Sequence, residues 1–248
     1  MNKSLLITGG SRGIGAAAAV LAAQQGWDVA VNYTRDAEAA ERVAAQVRAA
    51  GRRALVIQAD VSDEAQVLAM YTAVDKEFGA LGGLVNNAGV VDMPARVDEM
   101  SLQRLMRMFA INLTGSFLCA REAVKRMSTK HGGQGGVIVN LSSAAARLGS
   151  PGQYVDYAAA KAGIDTFTLG LAREVATEGI RVNAVRPGII DTDIHASGGL
   201  PDRAKQVAPV VPMQRAGSAD EVAQAIVWLL SDASSYTTGA VLDVTGGR

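Results

Sequence analysis

Short runs of aliphatic or β-branched residues alternate along the whole chain with longer, alanine-rich stretches whose apolar positions recur at helical spacing. Such alternation predicts βα units that feed a parallel sheet. Strands are expected at 4–8, 28–32, 54–58, 83–86, 137–141, 181–185 and 240–244. Helices are expected at 14–25, 37–50, 63–78, 102–127, 155–177 and 219–230. Gly26 and Gly51 close the first two helices, where a left-handed residue would terminate them. Right-handed crossovers place helices on both faces of the sheet, and ligands of such sheets bind beyond the carboxyl ends of the strands. The chemistry is therefore sought just after each strand.

One stretch, 188–218, has neither period. It carries Pro201, Pro209, Pro212 and the pair Gly198-Gly199, with Pro187 just before it. An irregular segment of that length in a compact domain is expected to be a functional lid, here about 189–217, with a short helix near 202–207. Its charged residues, Asp202, Arg203, Lys205 and Arg215, are few and of mixed sign, which predicts a neutral or weakly polar substrate over a highly anionic one.

Composition narrows the field. The chain has 24 Lys+Arg against 24 Asp+Glu, so net charge gives no reason to expect nucleic acid or an anionic membrane as partner. No apolar run approaches the roughly 20 residues of a bilayer span, and a cytoplasmic protein of one domain, 1–248, is expected. With Cys119 as the single cysteine and only two histidines, neither an internal disulfide nor a His/Cys metal site is expected.

The first strand runs into Thr8-Gly9-Gly10-Ser11-Arg12-Gly13-Ile14-Gly15 and then a helix. Glycines allow a tight turn and close approach of the backbone to a pyrophosphate, whose charge is met by amides at the helix N-terminus. Further motifs follow in order: Asp60-Val61, Asn86-Asn87-Ala88-Gly89, Asn112, Ser142-Ser143, Tyr157 with Lys161, and Arg186-Pro187-Gly188. This ordered set, spread over essentially the whole chain, resembles the classical short-chain dehydrogenases/reductases, in particular the group holding 3-oxoacyl-carrier-protein reductases and sugar dehydrogenases. The resemblance implies a Rossmann-like, doubly wound parallel seven-stranded sheet of order 3-2-1-4-5-6-7 and a nicotinamide cofactor.

Tyr157 and Lys161 are four residues apart, hence on one helical face. A neighbouring ammonium and a positive nicotinamide favour the phenolate, which suits Tyr157 to general acid/base work. The resemblance implies that Lys161 also bonds the nicotinamide ribose, that Ser143 donates to the substrate oxygen, and that Asn112 holds a water in the proton relay. A serine hydroxyl at that point stabilises developing charge. Ser143 lies one residue further from Tyr157 than the commonest family spacing, which leaves Ser142 as the alternative.

By the same resemblance the cofactor is held by Gly9, Ser11, Arg12, Gly13, Ile14, Gly15, Asn32, Tyr33, Arg35, Asp60, Val61, Asn87, Ala88, Gly89, Tyr157, Lys161, Pro187, Gly188, Ile190 and Thr192. Members using NAD usually carry an acid at the end of the second strand, where this chain has Asn32-Tyr33-Thr34-Arg35. Arg12 and Arg35 would instead pair with a 2′-phosphate, so NADP(H) is expected over NAD(H). The expected activity is hydride transfer between the nicotinamide and a small-molecule carbonyl or secondary alcohol by a homotetramer. By the resemblance, members that use a carrier protein often have a basic residue just before the glycine that precedes the sixth strand, and Glu178 at that position disfavours a carrier-protein substrate. A catalytically silent nucleotide sensor is the rival of a different class, and it would be free to lose Tyr157, Lys161 or Ser143.

Overall fold

The computed structural model describes residues 3–248. Seven strands form one parallel sheet: β1 (Ser4–Ile7), β2 (Asp28–Tyr33), β3 (Ala54–Gln58), β4 (Gly83–Asn86), β5 (Gly136–Leu141), β6 (Ile180–Pro187) and β7 (Val241–Val244), in the order β3-β2-β1-β4-β5-β6-β7. The order reverses between β1 and β4, which opens the crevice in which such sheets bind ligands.

Burial on both faces explains why the strands read as apolar runs instead of alternating ones. Within each strand the two faces still separate by a period of two. Leu5, Ile7, Val29, Val31, Val137 and Val139 pack with α1 (Gly13–Gln24), α2 (Ala37–Ala49) and α10 (Ala219–Leu230). Leu6, Ala30 and Ile138 pack on the other face against α3 (Glu64–Phe78), α5 (Gly115–Met127) and α7 (Val155–Val175). Gly26 (φ +90°) and Gly51 (φ +76°) adopt the left-handed conformation expected after α1 and α2.

One predicted helix differs. The stretch 102–127 is not continuous: α4 (Leu102–Phe109) passes through a π turn (Ala110–Thr114) into α5. The cause is tertiary. Asn112 lies in that turn, fully buried, and its amide Nδ2 donates to the carbonyls of Met108 and Val90, both at 3.0 Å, while its Oδ1 accepts from Val90 N at 3.0 Å. A π turn inside a helix often marks a functional position.

Two short helices, α6 (Ala145–Leu148) and, within the irregular stretch, α8 (Ile194–Ser197), were not in the periodic pattern; α9 (Arg203–Val207) falls where a short helix was expected. The root of the irregular stretch is closed by a bridge between Ile190 and Gly217, with Gly217 N donating to Ile189 O and Asp191 N to Gly217 O, each at 2.9 Å. Among the described residues, no helix is long and apolar enough to cross a membrane.

Candidate active site

The turn after β1 is built for close approach. Gly9 (φ +61°) and Gly13 (φ +54°) are left-handed, and a Cβ on Gly15 would fall 2.5 Å from both Asn87 Nδ2 and Gly9 O. Thr8 Oγ1 accepts from the amides of Asn87 and Ala88, both at 3.0 Å, and Asn87 Nδ2 donates to the carbonyls of Thr8 and Gly9, both at 2.9 Å. The glycine turn and the loop after β4 thus form one unit. Helices α2, α3, α4 and α10 are capped by Asp36, Asp63, Ser101 and Ser218, whereas α1 has no capping side chain and no acid in its first turn. Its first amides therefore lack the side-chain acceptors that serve those four helices, as an anion site at a helix N-terminus requires.

Asn32 is placed inward. It is 1% exposed; its Oδ1 accepts from Gly9 N at 3.1 Å and its Nδ2 donates to Ala59 O at 3.0 Å. It ties the glycine turn to β2 and β3 and has no free face for a ribose hydroxyl. Tyr33 is half-buried and Arg35 exposed just beyond it, and the nearby carboxylate of Asp36 is spent on Ala39 N, at 2.8 Å. Asp60 follows β3 with its Oδ1 taken by Ser62 N and Oγ, and Val61 packs against Gly115.

Beside the glycine turn lies a cavity of ≈ 480 Å³. It brings together Ile14, Asn87, Gly89, Ser143, Tyr157, Lys161, Pro187, Gly188, Ile190 and Thr192, residues from separate segments of the chain. Thr192 covers the turn: a Cβ on Gly13 would meet its Cγ2 at 3.4 Å. Gly89 admits no side chain, because a Cβ there would lie 2.9 Å from Asn112 Oδ1 and 3.6 Å from Lys161 Nζ.

The two serines separate cleanly. Ser142 is 3% exposed and its Oγ donates to Lys161 O at 3.2 Å, so it fastens β5 to α7. Ser143 lines the cavity with Tyr157, and its Oγ accepts from Ala145 N at 3.1 Å. Burial pushes the Tyr157 phenol above its ordinary value of 10, against the opposing influence of the Ser143 hydroxyl. The phenol therefore keeps its proton at neutral pH, the form able to act as an acid. Lys161 Nζ lies 5.7 Å from the Tyr157 ring centroid and donates to Leu141 O at 2.6 Å. Burial lowers its pKa to about 8, against the pull of Asp165 one turn further along α7.

Residues outside the motifs, Arg104, Asp156, Asn140 and Thr168, help to hold α7 in place. Asp156 accepts from Arg104 at 2.8 and 3.3 Å and from Tyr157 N at 2.9 Å. This pair, with side-chain exposures of 0% and 11%, pins the start of the helix beside the phenol. Deeper, Asn86 Nδ2 donates to Asn140 Oδ1 and Asn140 Nδ2 to Thr168 Oγ1, each at 2.9 Å, joining β4, β5 and α7 through buried amides. Their partners are 28 to 54 residues apart in sequence, so no local spacing could reveal them.

The family model described as enoyl-(acyl carrier protein) reductase matches residues 9–248. An uncharacterized oxidoreductase of Escherichia coli, YgfF, is 58% identical over 243 residues, covering 98% of each chain. The chain belongs to the short-chain dehydrogenase/reductase family. It is accordingly an NAD(P)-dependent oxidoreductase. Within this family, the 3-oxoacyl-[acyl-carrier-protein] reductase FabG of Staphylococcus aureus is 40% identical over 250 residues, covering 100% of this chain and 98% of that one. Among solved structures, a short-chain dehydrogenase of Burkholderia cenocepacia in complex with NADP superposes with a TM-score of 0.91 at 35% identity, over 100% and 98% of the two chains.

Proposed function

We propose that this enzyme is an NADP(H)-dependent carbonyl reductase acting on a small molecule, with Tyr157 as general acid, and as base in the reverse direction. The observation that carries the reading is that Ser143, Tyr157 and Lys161 line one cavity together with Ile14 from the glycine turn. A bound reduced nicotinamide supplies the hydride for the carbonyl carbon. The phenol of Tyr157 delivers its proton to the carbonyl oxygen, and the hydroxyl of Ser143 donates to that oxygen as charge builds on it. The ammonium of Lys161, charged below about pH 8, favours the phenolate left behind. Asn112 acts by position: with its amide spent on Val90 and Met108, a relay water would be held by its backbone.

The backbone of Gly9, Ser11, Arg12, Gly13, Ile14 and Gly15 suits a pyrophosphate, and Lys161 a ribose. The chain at Tyr33, Asp60, Val61 and Ala88 would meet the adenosine end. Preference for NADP(H) is supported by Arg35, exposed just beyond β2, beside Asp36, whose carboxylate accepts from Ala39 N at the start of α2. Arg186, by contrast, is consumed by Asp165 and Asp243, at 2.8 and 2.7 Å. A homotetramer is part of the same reading, supported by exposed apolar side chains on α4, α5 and α7, among them Leu102, Met106, Phe117 and Leu169. A cytoplasmic setting is part of the same reading.

A second reading, reduction of a carrier-bound 3-oxoacyl thioester, is favoured by the names of the 40%-identical relatives. Against it stands Glu178, half-buried and bonded by Ser128 Oγ, which puts an acid where a basic partner surface is needed. Steady-state kinetics with NADPH on ketones and β-ketoacyl thioesters separates the two. A kcat/KM for the thioester at least tenfold above every free ketone would establish the second reading.

A further inference from the structure

The irregular stretch has mixed charge in sequence, but the fold sorts those charges. Arg215 pairs with Glu221 outside, at 2.6 Å, and Lys205 and Asp202 are exposed. Arg203 alone of the four lines the catalytic cavity, and Arg248 lines it as well. Among the described residues, no carboxylate side chain lines that cavity, and none forms an ion pair with Arg203 or Arg248. The acids on the neighbouring rim are committed: Asp243 to Arg147 and Arg186, and Glu221 to Arg215.

Arg203 is also oriented. Its Cζ lies 5.2 Å from the ring centroid of Tyr154, a buried residue at the start of α7 and three before Tyr157. A guanidinium laid on an aromatic face keeps its planar fork of donors for a carboxylate. The residue of the same stretch that covers the cofactor turn is Thr192, against Gly13. Arg203, held at the catalytic end of α7, thus belongs to the substrate side of the cavity.

We infer that the substrate carries an anionic group, a carboxylate, at a short distance from its carbonyl, and that Arg203, assisted by Arg248, recognises it. The enzyme's substrate class is then small oxo acids, the reverse of what the linear charge pattern predicts. This inference rests on the carbonyl-reductase reading, and its test is arranged so that the two can fail separately.

The test compares 3-oxobutanoate, 4-oxopentanoate and 5-oxohexanoate with their methyl esters, as kcat/KM with NADPH and, without turnover, as calorimetric affinity for the protein saturated with NADP. For at least one chain length the acid is expected to exceed its ester by tenfold or more, about 1.4 kcal/mol. In Arg203→Gln that ratio falls toward one, and in Arg248→Gln it falls partway. Arg203→Glu, as a folded control, gains preference for a ketone bearing a trimethylammonium group. Acid binding that is lost in Arg203→Gln, with no turnover of any carbonyl, would sink the reductase reading and leave the anion site standing. Equal kinetics and affinity for acids and esters would overturn the anion site, as would an Arg203→Gln variant that weakens only NADPH.

Discussion

Lys161 is a residue the fold keeps at a cost, and replacing it by methionine measures that cost. Its side chain is 4% exposed, and burial lowers its pKa from 10.5 to about 8. At about 1.4 kcal/mol per tenfold change in proton affinity, holding the ammonium in the folded protein below pH 8 costs about 3 kcal/mol. The sign follows from linkage: between pH 8 and 10.5 the unfolded chain binds the proton and the folded one does not, so stability rises with pH through that window. Methionine keeps the length of the stem without the charge but gives up the bond to Leu141 O, worth about 1 kcal/mol. Lys161→Met should therefore be about 2 kcal/mol more stable at pH 7, a rise in Tm of about 4 to 8 °C for a chain of this size, while losing carbonyl reduction. Urea unfolding at pH 7 and about pH 9.5, at one protein concentration and without cofactor, reads both terms. The advantage should shrink at the higher pH. A variant less stable than wild type at pH 7, or a gap independent of pH, would refute the reasoning.

Three further outcomes are expected. Asp156→Ala leaves Arg104 without its buried partner and frees the start of α7, so it should cost about 3 kcal/mol of stability in urea unfolding and lower kcat more than it raises KM. Arg35→Leu should narrow the NADPH-to-NADH ratio of kcat/KM by at least tenfold; a wild-type preference for NADH would reject the cofactor assignment outright. Hydrogen exchange across 194–215 should slow on adding NADPH with substrate more than with NADPH alone, and equal exchange in all states would show that the segment does not close over ligand.

Strand and helix positions were legible because each βα unit carries its own signal: buried aliphatic runs such as Leu5 to Ile7, then alanine-rich periods ending at Gly26 or Gly51. The strand order was not in the periodicity; it came with the ordered motifs and is the order observed. The break at Asn112 was illegible, since its cause is hydrogen bonding to Val90, 22 residues away. The choice between Ser142 and Ser143 needed the side-chain directions at the end of β5, which spacing to Tyr157 does not carry. Asn32 was read as facing the cofactor from its position at a strand end, yet its amide turns into the gap between β2 and the glycine turn. Charge partners such as Arg104 and Asp156, 52 residues apart, leave no trace in a linear reading.

The central claim is that the proton for the carbonyl oxygen comes from the Tyr157 phenol, and Tyr157→Phe tests it most directly. NADPH consumption with a reducible ketone is followed at the reduced-nicotinamide absorbance for wild type and variant, and NADPH affinity is measured separately by titration. The account predicts that kcat falls by at least a hundredfold, within the range for loss of a general acid, while NADPH affinity changes less than threefold. A phenylalanine variant that keeps most of its kcat would contradict it.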